Sequence, residues 1–114
     1  MGVSKKGRRK ITYNDKLYVW YIALDYDSPY YILNIVSEDK ALVLACPLEL
    51  NKNYVISKGN MFQGQKTNGT WKRYLCPVYF PEIITPKIVS DIIRWAVDKK
   101  DSVEVEYDGK EIVV

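Results

Sequence analysis

The fold is decided by residues 85–99, TPKIVSDIIRWAVDK, which carry the strongest helical signal in the chain. Thr85 is a typical N-cap residue, and Pro86 suits the first helical position because a backbone N–H has no intrahelical partner there. The pattern predicts a helix over about residues 86–99 whose apolar side packs on a sheet. The apolar residues that recur at helical spacing are Ile88, Val89, Ile92, Ile93, Ala96 and Val97.

The segments before this helix predict a meander of antiparallel strands joined by short connections. A hairpin is expected around Asn14-Asp15-Lys16, which stands between two β-rich runs. Apolar residues occupy both faces of the second run, 17–23, so we expect this strand to be covered on two sides. The strands are predicted at 11–13, 17–23, 30–36, 41–46, 54–57, 71–76 and 78–80.

The chain ends with VEVEYDGKEIVV, residues 103–114, in which apolar and acidic residues alternate before a turn. Asp108-Gly109 is typical of a type I′ turn and predicts a final β-hairpin. The sequence therefore predicts an α+β fold: a mainly antiparallel twisted sheet of about 5–7 strands, one principal helix at about 86–99 packed on it, and then a hairpin.

The length of 114 residues predicts a single domain. Residues 1–9, MGVSKKGRR, are expected to form a flexible basic arm, and residues 10–114 the globular α+β domain. Five of the 17 basic side chains lie in residues 1–10, which leaves 12 basic and 14 acidic side chains in the rest of the chain. The body is thus slightly acidic, and the arm supplies the positive net charge.

The location of the protein is predicted from its apolar segments and cysteines. No apolar stretch of signal-peptide length follows the basic N-terminus, and runs such as 41–46 are too short to span a membrane. These features predict a cytoplasmic protein without a membrane partner, in which Cys46 and Cys76 are reduced. We interpret both thiols as buried small hydrophobes. A reversible disulfide is the alternative, and it requires neighbouring strands with Cα atoms less than about 7 Å apart.

Catalytic signals are weak because the chain contains no histidine, the usual proton carrier near neutral pH and a common metal ligand. Two cysteines alone do not make a zinc site. The carboxylate pairs Asp25/Asp27 and Glu38/Asp39 stand in predicted turns, where water would keep their pKa values from separating. We therefore predict no catalytic, cofactor-binding or metal-binding residues, and interpret the chain as a protein that is not an enzyme.

Residues 58–70 contain glycine at 59, 64 and 69 and predict a long mobile hairpin loop. The segment is a near miss for a phosphate-binding loop, because Gln65 and not Lys follows the second glycine and no helix comes next. Met61 and Phe62 are apolar residues in this polar loop and are candidate contacts for a protein partner. A plain flexible hairpin is the alternative interpretation.

Two basic segments are candidates for binding polyanions. A solvated tail or contact with a membrane surface is the alternative for the first segment, and packing of Trp71 is the alternative for the second. The arm contains Lys5, Lys6, Arg8, Arg9 and Lys10, which can neutralise phosphates in a salt-dependent manner. Further along the chain, an aromatic residue stands beside two cations and could stack a base. This second patch consists of Trp71, Lys72 and Arg73.

Residues 9–20, RKITYNDKLYVW, and residues 84–96, ITPKIVSDIIRWA, resemble a loose group of short bacterial proteins. Members of this group combine an N-terminal hairpin ending near Trp with a later helix that starts with Ile-Thr-Pro and ends in Trp-Ala. The group has no assigned activity. The resemblance implies a one-domain bacterial cytoplasmic protein and transfers no functional residues.

The function expected from these observations is that of a small non-enzymatic module that binds a protein partner. The apolar tip of the 58–70 segment and an exposed sheet edge favour this interpretation. The alternative is a nucleic-acid-binding protein that uses the basic arm. Homodimerisation through an edge strand is a further expectation for the sheet.

Overall fold

A computed structural model describes residues 8–24, 31–48, 54–67, 69, 71–81, 83–100, 103–107 and 112–113. The predicted α+β class is confirmed: within these residues the chain forms one helix, α1, at Pro86–Asp98, and ten strands. The strands are β1 Arg9–Tyr13, β2 Lys16–Leu24, β3 Tyr31–Ser37, β4 Val43–Pro47, β5 Tyr54–Ser57, β6 Met61–Phe62, β7 Gln65–Lys66, β8 Lys72–Leu75, β9 Val103–Tyr107 and β10 Ile112–Val113.

Eight of the described strands form one antiparallel sheet in the order β1-β2-β3-β4-β5-β8-β9-β10. The predicted meander is therefore confirmed, and the two-residue β10 completes it at one edge. The β6–β7 pair forms a separate hairpin inserted between β5 and β8. Residues 78–80, for which a strand was also expected, are not in a strand. Pro77 precedes them and cannot donate to a ladder.

The β1–β2 hairpin turns where the sequence predicts it. Asn14 and Asp15 have φ angles of 50° and 62°, and Tyr13 pairs with Lys16. A type I′ two-residue turn needs both central residues in the left-handed region, and Asn and Asp tolerate that region better than most residues. This short connection fixes the register of the first two strands.

Helix α1 packs on one face of the sheet, which we call the inner face. The Thr85 side chain caps the helix by accepting a hydrogen bond from Ile88 N at 3.4 Å. At the other end, the Tyr13 hydroxyl donates to the Asp98 carboxylate and joins the helix to β1. The helix buries Val89, Ile92, Ile93, Trp95 and Ala96. The sheet buries Tyr18, Trp20, Leu33, Ile35, Leu44, Cys46, Val55 and Tyr74 in the same cluster.

The β6–β7 hairpin caps the C-terminal end of α1. Gln63 is only 5% exposed; its backbone N donates to Ala96 O at 2.7 Å and its Nε2 to Trp95 O at 2.9 Å. Carbonyls in the last helical turn have no intrahelical partner, so these bonds satisfy two groups that would otherwise be left unpaired. The described part of the 58–70 segment is thus docked on the helix, where a mobile loop was expected.

The β3–β4 connection is organised around the Asp39 carboxylate. It accepts hydrogen bonds from Lys16 Nζ at 2.7 Å, Ser37 Oγ at 2.6 Å and Ala41 N at 3.0 Å. Ser37 Oγ in turn accepts from Leu42 N at 3.0 Å. The bonds from Lys16, Ser37 and Ala41 hold the pKa of Asp39 well below its usual value, because each favours the ionised form.

We predict that Asp39 makes stability depend on acid pH. Because its native pKa is depressed, its contribution is present above the unfolded pKa near 3.8 and is lost as the pH falls toward the native pKa. The variant Asp39→Asn should therefore be less stable than the wild type at pH 6, and this gap should narrow at pH 3. Urea unfolding at both pH values measures the gap. An equal gap at pH 6 and pH 3 would contradict the prediction.

Candidate binding surface

The side of the sheet that faces away from α1 is also rich in apolar residues, and we call it the outer face. Side chains alternate along each strand, so Leu17, Val19 and Tyr21 on β2 point away from the buried Tyr18 and Trp20. The outer face consists of Lys10, Thr12, Leu17, Val19, Tyr21, Ala23, Ile32, Asn34, Val36, Val43, Ala45, Tyr54, Ile56, Arg73, Leu75, Val103 and Val105.

The described elements supply no covering layer for the outer face. The buried side chains of α1, together with Phe62 from the β6–β7 hairpin, all belong to the inner-face cluster. On the outer face, Tyr54 and Val105 form a small cluster with the partly buried Ile56 and Leu75. The expectation that β2 is covered on two sides is therefore met only on the inner face. Its outer residues remain half-buried.

One row of paired residues crosses the outer face from β1 to β8. Lys10 pairs with Val19, Val19 with Val36, and Val36 with Val43. Lys58 N donates to Val43 O at 2.8 Å, and Lys58 Nζ lies 4.3 Å from the centroid of the Trp71 ring. Three valines thus stand between two lysines. Trp71 ends the row with 61% of its surface exposed.

A second row runs beside the first. The Arg8 guanidinium lies over the Tyr21 ring, 4.7 Å from its centroid, and this cation–π contact begins the row at the β1 edge. Arg73, on β8, carries the next positive charge. From Arg8 the row runs through Tyr21, Asn34, Ala45 and Ile56 to Arg73, and Val105 follows Arg73.

In both rows, cations stand on either side of the central residues, and neither row contains a carboxylate among the described residues. Neighbouring strands are about 4.8 Å apart, which places Lys10 and Lys58 about 19 Å apart and Arg8 and Arg73 about 24 Å apart across the sheet. The exposed Glu38 follows β3 in the turn beyond the rows. The outer face is therefore apolar in its centre and basic along two sides.

The structure divides the residues that the sequence suggests for polyanion binding. Arg8 and Lys10 lie on the outer face, whereas Arg9 lies over Trp20 on the inner face, 5.4 Å from the ring centroid. Trp71 and Arg73 lie on the outer face. Lys72 lies on the inner side, where its Nζ is 3.7 Å from Glu104 Oε1. Lys5 and Lys6 lie outside the described residues. The two sequence patches thus contribute to one surface, to which the structure adds Lys58.

Met61 and Phe62, the candidate partner contacts in the loop, lie in β6. Phe62 is 3% exposed; its ring stacks on Tyr74 with centroids 4.2 Å apart and meets Trp95 edge-on at 5.2 Å. Phe62 is therefore a core residue here and is not accessible to a partner, while Met61 is half-buried.

Cys46 and Cys76 are free, buried thiols. Cys46 lies in β4 and Cys76 directly follows β8, and β5 lies between these two strands. Two strand spacings of about 10 Å exceed the reach of a disulfide. Burial, together with the nearby Cys76, raises the pKa of Cys46 well above its usual value. Burial also raises the pKa of Cys76 to about 12. Both groups are thus uncharged thiols at neutral pH, and weak nucleophiles for that reason.

Acidic groups that could do chemistry or bind metal are dispersed. In the part of the chain that the structure describes, no three Cys, Asp or Glu side chains group closely enough to hold a metal ion. Asp25 and Asp27 lie outside that part.

A shallow cleft of about 310 Å³ lies between Pro77-Val78 and α1. It includes Asp91, whose carboxylate is already engaged by Lys87 at 3.0 Å and Arg94 at 3.2 Å.

The described helix is too short and too polar to cross a membrane. Comparison of the chain with models of protein families, with curated proteins and with solved structures gives no match. The resemblance to short bacterial proteins therefore stays a prediction.

Proposed function

We propose that this chain is a small non-enzymatic interaction module that binds another protein through its outer face. The observation that carries the proposal is the apolar centre of this face, which no described element covers. Apolar surface exposed to water is costly, and large contiguous apolar patches on a protein surface commonly mark interaction sites.

The size of the outer face supports this proposal. Seven strands from β1 to β9 span about 29 Å, and their lengths of four to nine residues average about 18 Å, which gives roughly 500 Å². A partner of matching size would bring the total buried area to roughly 1,000 Å², which is at the lower limit for specific protein interfaces. Exposed Trp71 and the half-buried Tyr21 and Arg73 belong to the residue types that dominate binding energy at such interfaces.

The proposal is tested by capture from bacterial lysate with an acidic residue placed in the centre of the face. The variant Val36→Glu should lose a protein that the wild type retains after nuclease treatment, because it buries a carboxylate in the apolar contact. Val19→Glu serves the same purpose if circular dichroism shows that Val36→Glu does not fold.

The matched control is Ile83→Glu, the same kind of change at a residue that is 75% exposed and lies outside the outer face. It should capture the same protein as the wild type. If a folded Val36→Glu or Val19→Glu protein retains the captured protein as well as Ile83→Glu does, the outer face is not the binding surface.

Nucleic-acid binding is a second candidate function, favoured by the gathering of Arg8, Lys10, Lys58 and Arg73 near the exposed Trp71. If the chain binds nucleic acid, DNA or RNA should be recovered with it and should be lost on nuclease treatment. Its affinity for the nucleic acid should also fall steeply as the salt concentration rises. The capture experiment distinguishes it from the leading proposal, because a retained protein is not sensitive to nuclease.

A further inference from the structure

We infer that the partner segment on the outer face is an amphipathic helix of another polypeptide, whose apolar side is edged by Asp and Glu. This inference rests on the proposed function and adds the chemistry of the partner. It follows from the positive charges of the face, from its aliphatic centre and from the distance between the cations on its two sides.

The charges favour a partner other than a second copy of this chain. Cations stand at both ends of the rows, at Arg8 and Lys10 on one side and at Lys58 and Arg73 on the other. When two copies stack with their aliphatic centres together, the cations on each side of one centre meet cations of the other copy in either orientation. Like charges across an interface oppose association, whereas carboxylates at the same positions complement the face.

The centre of the face favours a polypeptide over a nucleic acid. The half-buried Val19, Val36, Val43 and Ile56 offer aliphatic contact and no aromatic ring for base stacking. The aromatic rings of Tyr21 and Trp71 lie at the sides, each already in contact with a cation. Aliphatic side chains on a partner bury well against such a centre.

The distance between the cations across the face suits one helix. The lysines and arginines stand about 19–24 Å apart, and a helix with its side chains is about 10–12 Å across. Long Lys and Arg side chains can lean inward over apolar surface to reach acidic groups on both sides of that helix. The inner face already packs against the apolar side of α1, and a sheet with helices on both faces is a common layered architecture.

The inference is tested with two synthetic 18-residue peptides, labelled for fluorescence anisotropy. Both carry the same leucine stripe at helical spacing; one has Glu along both sides of the stripe and the other has Lys. We expect the Glu peptide to bind at least about tenfold more tightly than the Lys peptide, and its affinity to fall as salt is added.

Charge reversal on the protein gives the matched comparison. The double variant Lys10→Glu/Lys58→Glu should weaken binding of the Glu peptide by about tenfold or more. The double variant Lys99→Glu/Lys100→Glu changes the same number of charges after the end of α1 and should stay within about twofold of the wild type.

The inference is overturned if the two peptides bind equally well or if neither binds. It is also overturned if a single-stranded oligonucleotide binds more tightly than the Glu peptide. A homodimer that Val36→Glu dissociates would overturn it as well. If neither peptide binds while Val36→Glu still loses the protein captured from lysate, the helix inference fails and the proposed function stands. If capture survives Val36→Glu, the proposed function itself fails.

Discussion

Replacing Ile92 with alanine is expected to lower the free energy of unfolding by about 2–5 kcal/mol. Ile92 has no exposed surface, and its side chain packs between the α1 backbone and the inner face of the sheet. The substitution therefore leaves a cavity that the sheet and helix can fill only in part. Alanine has a higher helix propensity than isoleucine, but that gain is only a few tenths of a kcal/mol. Urea unfolding followed by circular dichroism measures the loss.

The matched control is Lys87→Ala on the same helix, at a side chain that is 81% exposed. It removes the surface ion pair with Asp91 and should change the free energy of unfolding by less than about 0.5 kcal/mol. A similar small effect for Ile92→Ala would mean that the apolar stripe of α1 does not face the sheet.

The elements that the sequence predicts well are those whose determinants lie within a few residues of each other. Thr85 and Pro86 specify the start of α1, and the apolar spacing after them specifies its buried side. Asn14 and Asp15 specify the first hairpin by their tolerance of positive φ. In each case the stabilising contact is local, so no knowledge of the rest of the fold is needed.

The candidate surface depends on contacts between distant parts of the chain, and the sequence does not reveal it. Lys10 and Lys58 belong to one row only because β2, β3 and β4 pair in a particular register between them. Strand alternation alone separates Lys72 from its neighbours Trp71 and Arg73, but which side faces α1 depends on the register. The apolar character of both faces of β2 was the one local signal, and it did not say which face lacks a layer.

The burial of Phe62 also depends on distant contacts, and the sequence predicts a partner contact where the structure has a core residue. An apolar residue between glycines in a polar segment is equally compatible with an exposed tip and with a docked one. Its burial depends on Tyr74 and Trp95, which lie 12 and 33 positions later in the sequence. Gln63 beside it, which caps the helix, carries no sequence signal for that role because its acceptors are the carbonyls of a distant helix.

Replacing Gly59 with alanine is expected to destabilise the protein by about 3 kcal/mol. An added Cβ would lie 2.3 Å from Ala41 O and 2.9 Å from Val43 N, and both are backbone atoms that cannot rotate away. The same backbone is held by hydrogen bonds from Lys58 N to Val43 O and from Asn60 N to Ala41 O. This glycine is therefore explained by close packing of two chain segments and not by a phosphate ligand. Urea unfolding measures the loss.

Gly64→Ala is the matched control, because it separates lack of space from backbone conformation. Gly64 has a φ of 76° and no atom within 4 Å of an added Cβ, so alanine there should cost about 1 kcal/mol of conformational strain alone. If Gly59→Ala costs no more than Gly64→Ala, the segments are not packed as closely as the structure has them. A larger loss at Gly59 would place the tight contact at Ala41 and Val43, at the start of β4. Lys58, which precedes Gly59, is held there at the end of the Val19–Val36–Val43 row. The packing of this glycine thus also positions a cation of the outer face.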